Sequence, residues 1–242
     1  MKIKAVIFDL DGTITSFNLD YRAVRAEIIS FLINAGMPAS TLSMSESTFG
    51  MLKKTEIFMR NNDKSEKAIV EVTNKALSII EKREIEAAKD TSLMLGVLET
   101  LKTLKKKGLK IGLCTINSEK SMQYILKRFN IAGYFDALTP RNKVTHVKPN
   151  TEHLQATLDT LEVKANEAMI VGDGLPDMRC GKELKLVTVG FLTSESSKET
   201  LIEAGANYMI TTLADVPMLV EQINKKARNK KEQGFMPSSC LK

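Results

Sequence analysis

Apolar residues follow two alternating patterns along the chain: short continuous runs, and longer stretches with apolar positions three or four residues apart. The runs are typical of buried parallel strands and the spaced positions of amphipathic helices. Six runs predict strands, at residues 4–9, 110–115, 135–138, 168–172, 186–189 and 208–210. The intervals predict helices at residues 97–107, 118–129, 151–161, 176–184, 198–204 and 216–226. The alternation predicts an α/β fold, a doubly wound, Rossmann-like parallel sheet.

One segment interrupts this alternation. Residues 16–90 contain no strand candidate and carry three helical patterns, at residues 20–35, 45–62 and 65–89. Because the segment lies between the first and second strands, we expect a helical cap above the carboxyl edge of the sheet. The predicted organisation is a core domain of residues 1–15 and 91–226, a cap of residues 16–90 and a basic C-terminal tail of residues 227–242.

Composition narrows the class of protein. The 242 residues are 43% hydrophobic and 26% charged, which is ordinary for a soluble globular chain. No apolar run approaches the roughly 18 residues of a membrane span, and the N-terminal run stops at Asp9, too early for a secretory signal. Three scattered cysteines do not suit a disulfide framework or a Cys-based zinc site. We therefore expect a cytoplasmic protein with no membrane partner.

The net charge of +6 comes mainly from the end of the chain. Residues 225–242 hold six Lys or Arg and one Glu, which is +5, so the rest of the chain carries only +1. Such an end is more often a solvated tail than a binding arm, and the absence of Trp argues against an aromatic platform for bases. A nucleic-acid partner is not expected, and the oligomeric state is left open.

The candidate chemistry begins with Asp9 and Asp11, which directly follow the apolar run of residues 5–8. In open α/β sheets, ligands gather beyond the carboxyl ends of the strands. Two like charges at a buried edge carry a desolvation cost unless a cation or a shifted pKa relieves them. The pair therefore favours metal-assisted catalysis over a purely structural turn.

Four separated motifs, in the same order, resemble those of the haloacid dehalogenase superfamily, in its branch of small-molecule phosphatases with a helical cap, such as phosphoglycolate phosphatases and pyrophosphatases. The matching positions are Asp9 to Thr13, Thr115, Lys148-Pro149, and Gly172-Asp173 with Asp177. One departure is that Ile116 stands between Thr115 and Asn117, where the family often has Asn directly after the Thr. Together the motifs cover most of the chain.

The acidic residues suit a two-step phosphoryl transfer. Asp9 is the candidate nucleophile and Asp11 the candidate general acid and base, which requires a raised pKa for Asp11. Asp9, Asp173 and Asp177 offer the oxygen ligands that suit Mg²⁺. The resemblance implies a side-chain oxygen from Asp9, the backbone carbonyl of Asp11, a carboxylate from Asp173 and a role through water for Asp177. Alternatively, Asp177 is only a first-turn helix acid.

The remaining motif positions suit phosphate binding. Thr115 offers a hydroxyl at a strand end, and the backbone N–H groups that follow, beginning with Ile116, can cradle phosphate oxygens. Lys148 supplies positive charge for the phosphate and the aspartyl intermediate. Gly12 permits a backbone conformation that side chains forbid.

These positions predict a Mg²⁺-dependent phosphatase that acts on a small phosphorylated metabolite. A phosphomutase of the same fold is the nearest alternative, although family mutases commonly have Val where this chain has Thr13. A dehalogenase is disfavoured because Asp11 is retained, and a catalytically silent binding protein is the alternative from another class. In the cap, Lys53, Lys54 and Arg60 are candidates for contact with an anionic substrate.

Overall fold

A six-stranded parallel sheet forms the centre of the larger of two compact units in the computed structural model. The structure describes residues 2–16, 19–194 and 196–233. Its strands are β1 (Ala5–Phe8), β2 (Lys110–Cys114), β3 (Ala137–Thr139), β4 (Ala168–Gly172), β5 (Val187–Phe191) and β6 (Tyr208–Ile210). All neighbours are parallel, in the order β3-β2-β1-β4-β5-β6. The predicted α/β fold is confirmed, with strand ends shifted by up to two residues.

Nine α-helices occur in the described residues. They are α1 (Tyr21–Asn34), α2 (Thr48–Asn61), α3 (Glu66–Asp90), α4 (Val97–Lys106), α5 (Glu119–Arg128), α6 (Thr151–Leu161), α7 (Leu175–Glu183), α8 (Lys198–Ala204) and α9 (Val216–Gln233). None of the helices in these ranges combines the length and apolar character needed to cross a membrane.

Strand order decides where a site can form. β1 lies between β2 and β4, with every residue of Ala5–Phe8 buried. From β1 the chain adds β2 and β3 on one side and β4 to β6 on the other, so the order reverses at the boundary between β1 and β4. Ligands of open parallel sheets bind in the crevice beyond the carboxyl ends at such a reversal. The residues that follow β1, β2 and β4 are therefore placed at that edge.

The second unit, residues 18–91, contains α1, α2 and α3. Side chains that accept from backbone N–H groups begin each helix: Asp20 from Ala23, Ser47 from Gly50, and Ser65 from Ala68. Such caps satisfy N–H groups that lack a partner within the helix. The unit has its own apolar core, which includes Val24, Ile28, Leu32, Met37, Met51 and Ile80. The interpretation of residues 16–90 as a substrate-selecting cap stays a prediction.

The C-terminal helix is longer than expected. The predicted tail begins at residue 227, but α9 continues to Gln233, and residues 234–242 lie outside the described part of the chain. Residues 227–233 contain Ala, Arg, two Lys, Glu and Gln, which have high helix propensity. A high density of charge therefore did not end the helix.

Candidate active site

Asp9 is the first residue after β1 and reaches the edge of the sheet. Its backbone N–H donates to the carbonyl of Val171 on β4 at 3.0 Å, which continues the ladder past the end of the strand. Its Oδ1 accepts from Nζ of Lys148 at 2.9 Å, and its side chain is 16% exposed. The carboxylate thus sits at the boundary between β1 and β4, held by a cation but still accessible.

Asp11 lies on a tight turn that immediately follows. The N–H of Gly12 donates to the carbonyl of Thr15 at 2.8 Å, and the hydroxyl of Thr15 donates to Oδ1 of Asp11 at 3.2 Å. Gly12 has a φ of +81°, and a Cβ at that position would overlap the carboxylate of Asp173. Only glycine combines this backbone conformation with so close an approach to a neighbouring carboxylate.

Lys148 connects three parts of the edge. Its Nζ donates to Asp9 Oδ1, to Asp177 Oδ1 at 2.6 Å and to the carbonyl of Cys114 at 2.7 Å, which occupies all three of its N–H groups. Burial lowers the pKa of Lys148, but the carboxylates of Asp177 and Asp9 raise it well above its usual value. Lys148 is therefore a permanently charged group that contacts the candidate nucleophile.

The two acids of the fourth motif lie beyond β4. Asp173 accepts at Oδ1 from the hydroxyl of Thr13 at 3.0 Å; burial, followed by the charge of Asp9, raises its pKa to about 7. Asp177 lies in the first turn of α7, and burial raises its pKa to about 7 although the ammonium of Lys148 opposes that shift. Both acids resist ionisation at this edge because burial disfavours their negative charge.

The second motif follows β2. Thr115 is buried, and its Oγ1 accepts from the N–H of Asn117 at 3.1 Å. The carbonyl of Ile116 accepts from Nη1 of Arg141 at 3.0 Å, and the carbonyl of Asn117 accepts from the Arg141 N–H at 3.1 Å. A buried guanidinium from a distant loop therefore holds the segment that follows Thr115.

The edge suits a hard cation, although the protein alone does not enclose one. Within residues 2–16, 19–194 and 196–233, no group of three His, Cys, Asp or Glu side chains could hold a metal ion. Burial and then the charge of Asp9 nevertheless raise the pKa of Asp173, and a bound cation would relieve both effects. Mg²⁺ commonly takes one or two carboxylates and completes its shell with water and substrate phosphate. Two carboxylates, from Asp9 and Asp173, and the backbone carbonyl of Asp11 are a ligand set of this kind.

The structure places the residues of all four motifs at this edge and adds three others. Asn117 donates from Nδ2 to Asp11 Oδ2 at 2.9 Å, a contact that the sequence analysis missed. Thr15 and Arg141 likewise contact site residues or their backbone, and Thr13 of the first motif donates to Asp173. Thr13, Thr15 and Asn117 share a signal that sequence alone offers, since each is a small polar residue within a few positions of a strand end. Arg141 offers no such signal.

Other charged and thiol side chains considered in the sequence analysis have surroundings that explain them without a role in catalysis. Lys54 pairs with Glu46 at 2.7 Å, and Arg60 pairs with Glu56 at 2.9 Å and Glu66 at 3.1 Å, all at the surface of the helical unit. These contacts occupy two of the three cations proposed for substrate contact. Burial raises the pKa of the Cys114 thiol to about 11, so it is not a nucleophile at neutral pH.

A parallel sheet that gathers carboxylates and a buried lysine at its carboxyl edge places the chain in the class of α/β proteins with a Rossmann-like fold. The sequence pattern of the haloacid dehalogenase-like hydrolases matches residues 6–191. The chain therefore belongs to that family, and the predicted superfamily is confirmed.

Relatives and solved structures share most of this chain. Pyrophosphatase PpaX of Bacillus cereus (strain Q1) is 26% identical over 227 residues, which is 93% of this chain and 100% of that protein. A hydrolase from Pseudomonas syringae has a TM-score of 0.67 and 23% identity, and covers 91% of this chain and 99% of its own. A haloacid dehalogenase phosphatase from Thermococcus onnurineus has a TM-score of 0.57 and 22% identity, with 91% and 98% covered. These two structures share the fold.

Proposed function

We propose that this protein is a Mg²⁺-dependent phosphatase that hydrolyses a small phosphate monoester through an aspartyl-phosphate on Asp9. The observation that carries the proposal is the 2.9 Å contact between Lys148 Nζ and Asp9 Oδ1 at the carboxyl edge of β1, with Asp11 two residues away. The ammonium of Lys148 lies beside that carboxylate, and a carboxylate oxygen of Asp9 is the group that attacks phosphorus.

In the first step, a carboxylate oxygen of Asp9 forms a bond to phosphorus and the bond from phosphorus to the ester oxygen breaks. Asp11 gives its proton to that oxygen, so the leaving group departs as an alcohol. In the second step, Asp11 takes a proton from a water molecule, whose oxygen attacks the phosphorus. The acyl phosphate bond breaks, inorganic phosphate leaves and the Asp9 carboxylate is restored.

The other site residues stabilise the negative charge of the phosphoryl group and bind its oxygens. Lys148 offsets negative charge on Asp9 and on the phosphoryl group during both steps. The hydroxyl of Thr115 and the N–H of Ile116 bind phosphate oxygens beyond β2. Asp9, Asp173 and the carbonyl of Asp11 would hold Mg²⁺, with Asp177 acting through water. When bound, the ion neutralises phosphate charge and orients the phosphoryl group.

Pyrophosphate is a second candidate substrate. The relative that matches 93% of this chain is named a pyrophosphatase, and the same two-step chemistry applies when the leaving group is phosphate instead of an alcohol. Within this proposal, the two substrates differ only in the group that receives the proton from Asp11.

Phosphate release from purified protein tests the proposal. We would measure kcat and KM for p-nitrophenyl phosphate, pyrophosphate and a panel of phosphorylated metabolites, with Mg²⁺ and with EDTA. We expect Mg²⁺-dependent release, and a loss of at least about 1,000-fold in kcat for Asp9→Asn because the nucleophile is removed. The ratio of kcat/KM for pyrophosphate and the monoesters decides between the substrates.

Asp20→Asn is the matched control, because it makes the same chemical change at the N-terminal cap of α1, where Asn caps as well as Asp. It should keep the activity of the parent protein. Equal turnover by Asp9→Asn and the parent would refute the assigned nucleophile, and Mg²⁺-independent release would refute the metal.

A further inference from the structure

We propose that Asn117 is a positioning residue that orients the carboxylate of Asp11 for proton transfer. This proposal rests on the proposed function, because Asp11 needs a defined orientation only if it exchanges protons with the leaving group and with water. Asn117 stands one position beyond the place where the second motif of the family often has its Asn. Its side chain contacts the second acid of the first motif, 106 residues away in the chain.

Both carboxylate oxygens of Asp11 accept hydrogen bonds from neighbouring side chains. Nδ2 of Asn117 donates to Oδ2 of Asp11 at 2.9 Å, and the hydroxyl of Thr15, whose single hydrogen is shared with the carbonyl of Leu10 at 3.3 Å, donates to Oδ1 at 3.2 Å. Two donors on opposite oxygens set the rotation of the carboxylate plane, which one donor alone would leave free. Asn117 is 2% exposed, so water competes little for its amide and the hydrogen bond is stronger than at the surface.

The backbone around Asn117 is held as firmly as its side chain. Its N–H donates to Oγ1 of Thr115, and its carbonyl accepts from the N–H of Arg141. The preceding carbonyl, of Ile116, accepts from the Arg141 guanidinium, which is itself 6% exposed. The next residue, Ser118, caps α5 by accepting from the N–H of Ser121. The amide therefore projects from a segment with little freedom to move, as an orienting group requires.

A merely structural role would join the turn after β1 to the segment after β2 without affecting proton transfer. The two roles differ in their dependence on the leaving group. A poor leaving group needs protonation as it departs, whereas a good one departs with little help. Misorientation of Asp11 should therefore slow phosphoryl transfer from poor leaving groups more, while a general disturbance of the site should slow all transfers by a similar factor.

The experiment compares p-nitrophenyl phosphate with phenyl phosphate, whose leaving group is the stronger base. Asn117→Leu removes the donor while nearly keeping the side-chain shape, and kcat/KM reports the transfer of phosphate to Asp9. We expect the loss in kcat/KM to be at least about 10-fold larger with phenyl phosphate than with p-nitrophenyl phosphate. Asn117→Ala, which removes the donor without adding bulk, should show the same selectivity and guards against misfolding of the Leu variant.

Asn142→Leu is the control, because this exposed Asn lies near the same segment and its Oδ1 accepts from the N–H of Glu119. It should change both substrates by the same small factor. Equal losses on the two substrates in both Asn117 variants would overturn the proposal while leaving the phosphatase function intact. If the parent protein hydrolyses neither substrate, the function itself fails. Crystal structures of the parent and the Asn117 variants then decide whether the Asp11 carboxylate rotates, and an unmoved carboxylate overturns the positioning role.

Discussion

Both units contain close ion pairs, and a buried pair at the carboxyl edge of the sheet can be compared with an exposed pair on the helical unit. In the sheet unit, Lys148 and Asp177 lie 2.6 Å apart with both side chains only 2% exposed. In the helical unit, Lys54 and Glu46 lie 2.7 Å apart with side chains 52% and 22% exposed. Nearly equal distances therefore describe one desolvated pair and one solvated pair.

This difference shows that burial, more than distance, separates the charges of the candidate site from surface charges. Taking two ions out of water carries a desolvation cost that their attraction offsets only in part, so a buried pair is poor evidence of stability. Strongly shifted pKa values at a sheet edge are instead typical of an active site. The pairs of Lys54 and Arg60 mark an ordinary solvated surface, where such contacts contribute little.

The largest expected effect comes from removing the buried cation. Lys148→Met keeps the length of the side chain but leaves Asp177 and Asp9 without their shared partner. We expect the free energy of unfolding at pH 8, measured by urea denaturation, to fall by about 3–5 kcal/mol. We also expect kcat to fall by about 100- to 1,000-fold.

Lys54→Met makes the same chemical change in the helical unit and serves as its control. The free energy of unfolding should change by less than about 1 kcal/mol, because the pair with Glu46 is exposed. Similar losses in both variants would break the distinction between the two regions.

The second expected effect is a loss of stability in acid, caused by the buried side chain of His153 in the sheet unit. His153 Nε2 lies 3.0 Å from the carbonyl of Thr139, its Nδ1 accepts from the N–H of Lys148, and burial lowers its pKa to about 4. Between pH 6.5 and 4, the unfolded chain binds a proton that the folded chain does not, so stability is lost as the pH falls. Relative to His153→Gln, the parent should lose up to about 3 kcal/mol across this interval.

The measurement is the free energy of unfolding of both proteins from pH 7.5 to 4 in EDTA. Taking the difference cancels the titration of carboxyl groups, including Asp173 and Asp177, whose raised pKa values act in the opposite direction. A difference that stays constant with pH would contradict the assignment to His153.

The smallest of these effects is stabilisation by the metal. If Mg²⁺ binds only the folded protein, a concentration 100 times its Kd adds about 2.7 kcal/mol to the free energy of unfolding. Thermal unfolding should show a higher Tm with Mg²⁺ for the parent and for Asp20→Asn, but not for Asp173→Asn. A shift of equal size in Asp173→Asn would remove Asp173 from the set of ligands.

Much of the fold could be predicted from local pattern. The run of residues 5–8 reads as a buried strand because each of its side chains is apolar, and β1 has every residue buried. The helix at residues 151–161 was predicted with its observed bounds, since apolar spacing reports directly which face a helix buries. The predictions differed from the structure where a basic segment was taken for a solvated tail, as in the last helix, and at strand ends that shifted by a residue or two.

The predicted site residues were recognisable because each motif is a short, local pattern near a strand end. Their partners were not, because a contact between Asn117 and Asp11, or between Lys148 and Asp177, depends on strand order and on the path of loops. The role of Arg141 depends on the burial of its guanidinium beneath a segment 25 residues away, which composition does not reveal. Sequence alone indicated which segments are buried and which residues are candidates for the chemistry. Only the tertiary structure decided which side chains meet, because that pairing is settled by packing between segments that are remote along the chain.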